Sequence, residues 1–215
     1  MDEKNAIENA KEYWNSIHQN LKDQELHYDD WLNPFTDIID ATALPIIDLG
    51  CGEGNNVMYL LEKRKKVIPC DYSEAALLNV QKRFPELKEV FCFDMTLGLP
   101  FENNSSDIVI CDLSLHYFTE KTTLTILEEI KRILTPNGIL LFRVNSTKDF
   151  NHGAGQGIEI EPHLYENNGS FKRFFDKQDF NKLFTDWETL YLKEETMSRY
   201  TQEKIVWRGA MKVAK

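Results

Sequence analysis

The run IIDLGCGEGNN at residues 46–56 sets three glycines at alternate positions, Gly50, Gly52 and Gly54, immediately after an apolar stretch. A chain with this pattern leaves a buried strand through a turn that brings backbone close to a ligand, and then enters a helix. That junction commits its surroundings to an α/β arrangement, and the flanking sequence agrees. KVIPCD, EVFCFD, DIVICDL and ILLFRVN read as strands. SEAALLNVQKRF, with Ser73 as N-cap, and TEKTTLTILEEIKRIL read as amphipathic helices, the second followed by a TPNG turn. Continuous apolar strands alternating with such helices predict a doubly wound, mostly parallel sheet covered on both faces.

The two ends of the chain depart from this alternation. Ile7, Ala10, Trp14, Ile17 and Leu21 lie at helical spacing, and a second segment is broken at Pro34, so residues 1–40 predict an N-terminal helical arm or lid. Residues 41–215 then form the main domain. Within it, residues 146–176 are rich in Gly, Asn and aromatics and predict a substrate-side insertion, a flexible loop and not another βα unit. WETLYLKEETMSRY and KIVWRGAMKVAK leave no room for a helix between them and predict a C-terminal antiparallel hairpin.

A net charge of −10 repels phosphate backbones and counts against a nucleic-acid substrate. No apolar run reaches bilayer length, so no membrane partner is expected, and the polar, acidic first residues predict no secretory signal. Cys51, Cys70, Cys92 and Cys111 form no CxxC pair and have no histidines at metal spacing. They read as free thiols of a cytoplasmic protein with no metal site.

Three ligand classes compete for the glycine loop. A phosphate cradle of the P-loop type needs Gly-Lys-Ser/Thr, and the residues after Gly54 are Asn55 and Asn56. A dinucleotide fingerprint counted from Gly50 and Gly52 needs glycine where Asn55 stands. Asp48 would repel a pyrophosphate and suits a ligand with positive charge. Asp71, about 20 residues beyond the loop, stands where a carboxylate accepts from ribose hydroxyls. A ribose and a cationic tail without phosphate describe S-adenosylmethionine.

DLGCGEG resembles motif I of the class I S-adenosylmethionine-dependent methyltransferases, and the later motifs follow in order. CDYS (Cys70 to Ser73) is similar to motif II, CFDM (Cys92 to Met95) to motif III, CDLSLHYF (Cys111 to Phe118) to motif IV, and LTPNGILLF to the turn and strand after it. The resemblance covers residues 40–145 by motif and 177–215 by pattern. It implies a seven-stranded Rossmann-like sheet whose last strand inserts antiparallel, and in-line attack of an acceptor on the sulfonium methyl. The acidic balance and the insertion's His163, Tyr165, Phe171, Phe174 and Phe175 favour a small-molecule acceptor; a nucleic-acid (tRNA or rRNA) or protein methyltransferase, and a cofactor-binding module without catalysis, are the alternatives. The enzyme would be a monomer or homodimer.

The resemblance also implies roles for particular residues. Asp48, Gly50, Cys51, Gly52 and Asn55 of motif I would line the cofactor, with Asp71 and Tyr72 at the ribose, Asp94 and Met95 at the adenine, and Asp112 and Leu113 at the methionine end. His116 and Tyr117 of motif IV would face the acceptor, with His116 as candidate general base; by their own positions, Arg143 at the end of the fifth strand, which could bind an acidic group, and Tyr165 in the insertion are further acceptor candidates. Plainer accounts stand beside these. His116 packs between Leu115 and Tyr117, Asp112 ends a strand, and Arg143 makes a structural ion pair. Asp71 is expected to make hydrogen bonds to the ligand alone.

Overall fold

Strand β1 (Ile46–Leu49) is buried at all four positions, which marks it as the middle of a sheet covered on both faces. The computed structural model describes residues 2–21, 25–26, 28–197 and 199–214. Lys22 to Gln24 and His27 of the expected arm, and Ser198 of the expected hairpin, lie outside the described residues.

β1 pairs in parallel with β2 (Val67–Asp71) on one side and β4 (Ser106–Asp112) on the other. β2 pairs with β3 (Phe91–Cys92), and β4 with β5 (Leu134–Asn145). β10 (Lys204–Val213) inserts antiparallel between β5 and β9 (Trp187–Met197), giving the order β3-β2-β1-β4-β5-β10-β9. The seven-stranded, mostly parallel sheet and its antiparallel hairpin are those expected from the sequence. Helices α3 (Asn55–Glu62), α4 (Glu74–Arg83), α5 (Glu120–Ile133) and α6 (Lys177–Leu183) flank the strands. Ser73 caps α4 by accepting from Ala76 N.

Three local readings change. β3 has two residues where EVFCFD suggested six. The TPNG turn lies inside β5, which starts directly after α5. The strand bulges there: Ser106 is opposite Leu134 and Ile108 opposite Ile139, with Asn137 at φ +72°. Residues 146–176 are more than a flexible loop, because they build a three-stranded antiparallel sheet of β6 (Ile158–Glu161), β7 (Leu164–Asn167) and β8 (Ser170–Arg173). Its buried Leu164 and Phe171 pack with Ala6 of α1 (Glu3–Leu21).

The segment after α1 is woven into the main core. Trp31, Leu32, Phe35 and Ile39, the last in α2 (Thr36–Ala41), share one apolar cluster with Ile46, Ile108 and Ile110. On the other face Phe142 of β5 stacks on Phe184 and Phe180, with ring centroids 5.4 and 5.8 Å away. That stack leaves no room above Gly209 of β10, where a Cβ would lie 2.2 Å from the Phe142 ring. Gly209→Ala is therefore expected to cost roughly 1–3 kcal/mol of stability. Urea unfolding of the two proteins measures this, and equal midpoints would mean the ring yields freely.

Candidate functional site

The C-terminal ends of β1, β2 and β4 meet around the glycine loop. Gly50, Gly52 and Gly54 have φ of +79°, +51° and +89°, conformations that side chains resist. Gly50 N and Cys51 N both donate to Cys70 O of β2, at 2.8 and 2.9 Å. A Cβ on Gly50 would lie 2.4 Å from the Ser114 Cβ, so the loops after β1 and β4 touch. Ser114 Oγ closes that seam by donating to Leu49 O at 2.7 Å. Asn55 begins α3 directly behind the loop.

Three carboxylates gather at these strand ends. Asp48 is fully buried. Its Oδ1 accepts from Asn56 Nδ2 at 3.2 Å, while Oδ2 has no partner among the described residues. Burial, reinforced by the charges of Asp112 and Asp71, pushes its carboxyl up to about 8 against the help of Asn56. Asp71 is also raised by burial, opposed by the N–H groups of Ser73 and Gly52. These bonds correct the expectation that Asp71 serves a ligand alone. Its Oδ2 accepts from Gly52 N at 2.9 Å and its Oδ1 from Ser73 N at 2.8 Å, so it also ties the glycine loop to β2.

Asp112 differs, and with it Arg143. Burial would raise Asp112, but Arg143 and Arg199 hold it below the ordinary carboxylate value. Of the two readings of Arg143, an acceptor contact and a structural ion pair, the geometry matches the second: its Nε and Nη2 donate to the two oxygens of Asp112 at 2.7 and 2.8 Å, and its Nη1 to Asp29 at 2.5 Å. Its guanidinium also lies 4.7 Å from the Trp31 ring centre. At 2% exposure it is the plainer structural ion pair. Arg199 bridges Asp29 and Asp112 at 3.4 and 3.2 Å.

The other candidate residues spread around this centre. Tyr72 follows β2, with its hydroxyl donating to Glu8 and Lys11 4.5 Å above its ring, both from α1. Asp94 Oδ1 accepts from Thr96 N and Oγ1, capping the short turn in which Met95 packs against the core. Cys51 is buried, and burial raises its thiol, with Asp71 and Asp48 adding to the effect. Leu113 turns the chain with φ +58°. His116 is 3% exposed, and burial holds its imidazole well below the usual range. Its Nδ1 has no partner among the described residues. The Tyr117 ring lies 4.4 Å from His116 and 6.5 Å from Trp14 of α1. Tyr165 stands apart in β7, opposite Lys172, with its ring 6.1 Å from Phe174.

Several site residues escaped the sequence reading. Trp31 Nε1 donates to Asn56 Oδ1 at 2.8 Å, which in turn orients Asn56 toward Asp48. His18 and Glu53 meet at 2.6 Å and join α1 to the glycine loop. Asn56 and Glu53 lie within the quoted motif and could have been flagged. Nothing in spacing points to Asp29, Trp31 or Arg199. One group with ligand atoms close enough for a metal, His163, Asp176 and Asp179, is accounted for by the start of α6. There Asp176 accepts from Gln178 N and Asp179 N, and Asp179 from Asp176 N, with the His163 ring 2.9 Å away.

The glycine loop lies among three carboxylates: Asp112 is neutralised by Arg143 and Arg199, Asp71 is tied to backbone N–H groups, and Asp48 keeps one oxygen unpartnered among the described residues. Such a set disfavours a pyrophosphate and suits a ligand with hydroxyls and a cationic end. The unpartnered Asp48 oxygen is the donor-seeking atom that such a cation would satisfy.

The comparisons agree. A family model described as a methyltransferase domain matches residues 47–142. The tRNA N(3)-methylcytidine methyltransferase Mettl2 of Drosophila melanogaster is 32% identical over 201 residues, 82% of this chain and 60% of that protein. The chain thus spans less than two thirds of the length of that relative. A solved S-adenosylmethionine-dependent methyltransferase of Methanosarcina mazei superposes with TM-score 0.71 at 18% identity, covering 89% of this chain and 99% of that one. The 1,6-didemethyltoxoflavin-N1-methyltransferase of Burkholderia thailandensis, solved with 1,6-didemethyltoxoflavin and S-adenosylhomocysteine, gives 0.66 at 18%, covering 87% and 80%.

The raised Asp48 leaves a mark on stability. The unfolded chain releases this proton near the ordinary carboxylate value, whereas the fold holds it up to about 8. Stability is therefore lost as pH rises from about 4 to about 8, by at most ~1.4 kcal/mol per unit. Asp48→Asn removes that slope, so its melting temperature is expected to gain on wild type between pH 5 and 8. A gap that stays constant would mean Asp48 is ionised in the fold.

Proposed function

Because the chain belongs to the class I S-adenosylmethionine-dependent methyltransferases, we propose that it methylates a small-molecule acceptor enclosed between the loop after β4 and the sheet of β6 to β8. The observation that carries this is coverage of the loop from two sides. Trp14 of α1 lies against Tyr117, and β8 is fixed to the same loop by Arg173 N donating to His116 O at 2.8 Å and Arg173 Nε to Phe118 O at 3.0 Å. Coverage from two sides favours a compact acceptor over an extended one. The chain's charge of −10 weighs the same way against a polyanion.

When bound, S-adenosylmethionine supplies a methyl group already activated by its sulfonium. Asp48 and Asp112 would face its cationic end, Asp71 its ribose, and Asp94 and Met95 its adenine. Asp71 keeps Gly52 in place while doing so, since each carboxylate oxygen accepts more than one hydrogen bond. The chain's main contribution is orientation, worth up to about 7–11 kcal/mol in well-aligned reactions. His116 stays neutral near pH 7 and would exchange a hydrogen bond with the acceptor through Nδ1, so His116→Ala is expected to lower turnover roughly 10²-fold while leaving cofactor affinity intact.

A second reading, a tRNA acceptor, has one observation in its favour: the 32% identity to the fly tRNA methyltransferase over 82% of this chain. Incubation with methyl-labelled S-adenosylmethionine, a metabolite extract and total tRNA separates the two. Label in small molecules is expected. Label in tRNA alone overturns the small-molecule reading. Calorimetry tests the cofactor site on its own terms. S-adenosylhomocysteine binding at pH 7 should release a proton as Asp48 ionises beside the ammonium, and should tighten as pH rises toward 8. No dependence of the heat on buffer ionisation enthalpy would remove Asp48 from that role.

A further inference from the structure

With Arg143 and Arg199 matched by Asp29 and Asp112, the cations left over lie elsewhere. Lys204, 4% exposed at the start of β10, meets Asp149 at 3.1 Å. That carboxylate is already in demand, because it also accepts from Ile205 N at 3.1 Å and lies 2.9 Å from the His152 ring. Lys172 of β8 donates to His152 O at 2.7 Å and has no carboxylate within ion-pair distance among the described residues. Two partly or fully buried ammonium groups thus share one acid in a strongly acidic protein.

Both converge on His152, whose carbonyl takes Lys172 and whose ring lies against Asp149, the partner of Lys204. Lys172 precedes Arg173, whose backbone N–H is bonded to His116 O. The Lys204 ammonium lies 5.4 Å from the Tyr200 ring, and that ring lies 5.4 Å from His152. Burial and then the Lys204 charge bring Lys172 down to about 8, and the two lysines add to the burial that depresses His116. A backbone carbonyl takes one of the three N–H donors of an ammonium and none of its charge. Burying such a charge without a counterion is costly, and an incoming anion relieves the cost.

We propose that Lys172 and Lys204, which meet at His152 and Asp149, receive an anionic group, a carboxylate or a phosphate, carried by the methyl acceptor. This rests on the small-molecule reading above and narrows it to acidic acceptors.

The test uses inorganic phosphate and acetate as probes, titrated at constant ionic strength into the free protein and into its complex with S-adenosylhomocysteine. At least one anion is expected to raise the melting temperature saturably, and the one that acts identifies the class. Lys172→Met should abolish that response and Lys172→Arg should keep it, with S-adenosylhomocysteine affinity unchanged within about twofold in both. Equal responses in wild type and Lys172→Met, or none in wild type, overturn the proposal. So does protection by tRNA with none by the small anions, which would put the lysines on an RNA backbone. An intact anion response in a protein that fails to bind S-adenosylhomocysteine would sink the methyltransferase reading and leave the anion site standing.

Discussion

Arg143 carries its charge almost out of reach of water, and its surroundings are arranged to keep it ionised. Burial alone would drive a cation to lose its proton, but Asp112 and Asp29 more than offset that and raise it above the ordinary guanidinium value. The bidentate bond to Asp112 locks the ends of β4 and β5 in register and sets where the chain turns at Leu113. The bond to Asp29 draws the N-terminal segment across the sheet, so that Trp31 reaches Asn56 and Asn56 reaches Asp48. Through Arg199 the same acids hold the turn between β9 and β10. Arm, glycine loop and hairpin are thus joined through one guanidinium. The group of Arg143, Arg199, Asp29 and Asp112 is neutral as a whole.

Periodicity carried the central sheet because each strand of β1, β2, β4 and β5 is an apolar run long enough to be buried on both faces. The glycine motif placed the loop, because positive φ and close approach leave few substitutes for glycine at Gly50. What sequence could not convey were contacts whose partners lie far apart. Asp29 and Arg143 are separated by most of the chain, so an acceptor-binding arginine and an ion-paired one look alike until the fold is closed. Asp71 shows the opposite limit, where a motif residue expected to wait for a ligand also holds backbone. The insertion was legible but its strands were not, because short strands with exposed Ile158 and Ile160 lack the buried stripe that betrays a strand.

The common sheet and the acceptor wall have different origins in the sequence. Residues 47–142 match a domain model and contain the cofactor side. The β6 to β8 sheet and the β9–β10 turn lie outside that match, and in the proposed reading they border the acceptor. Solved relatives at 18% identity share the sheet with this chain and speak only to its shape. The fly relative extends its similarity over 82% of this chain, which is why its RNA substrate stands as the rival reading despite the acidic charge.

The strand order has a consequence for chain entropy. β1 meets β2 across a single helix, whereas it meets β4 only after α3, β2, α4 and β3 have been passed. Closing the longer loop costs more chain entropy before any pairing rewards it. By that measure the seam between β1 and β4, where Gly50 lies against Ser114, costs more to close than the β1–β2 pair, and the bonds that tie Asp29 and Trp31 to Arg143, Arg199 and Arg208 cost more still.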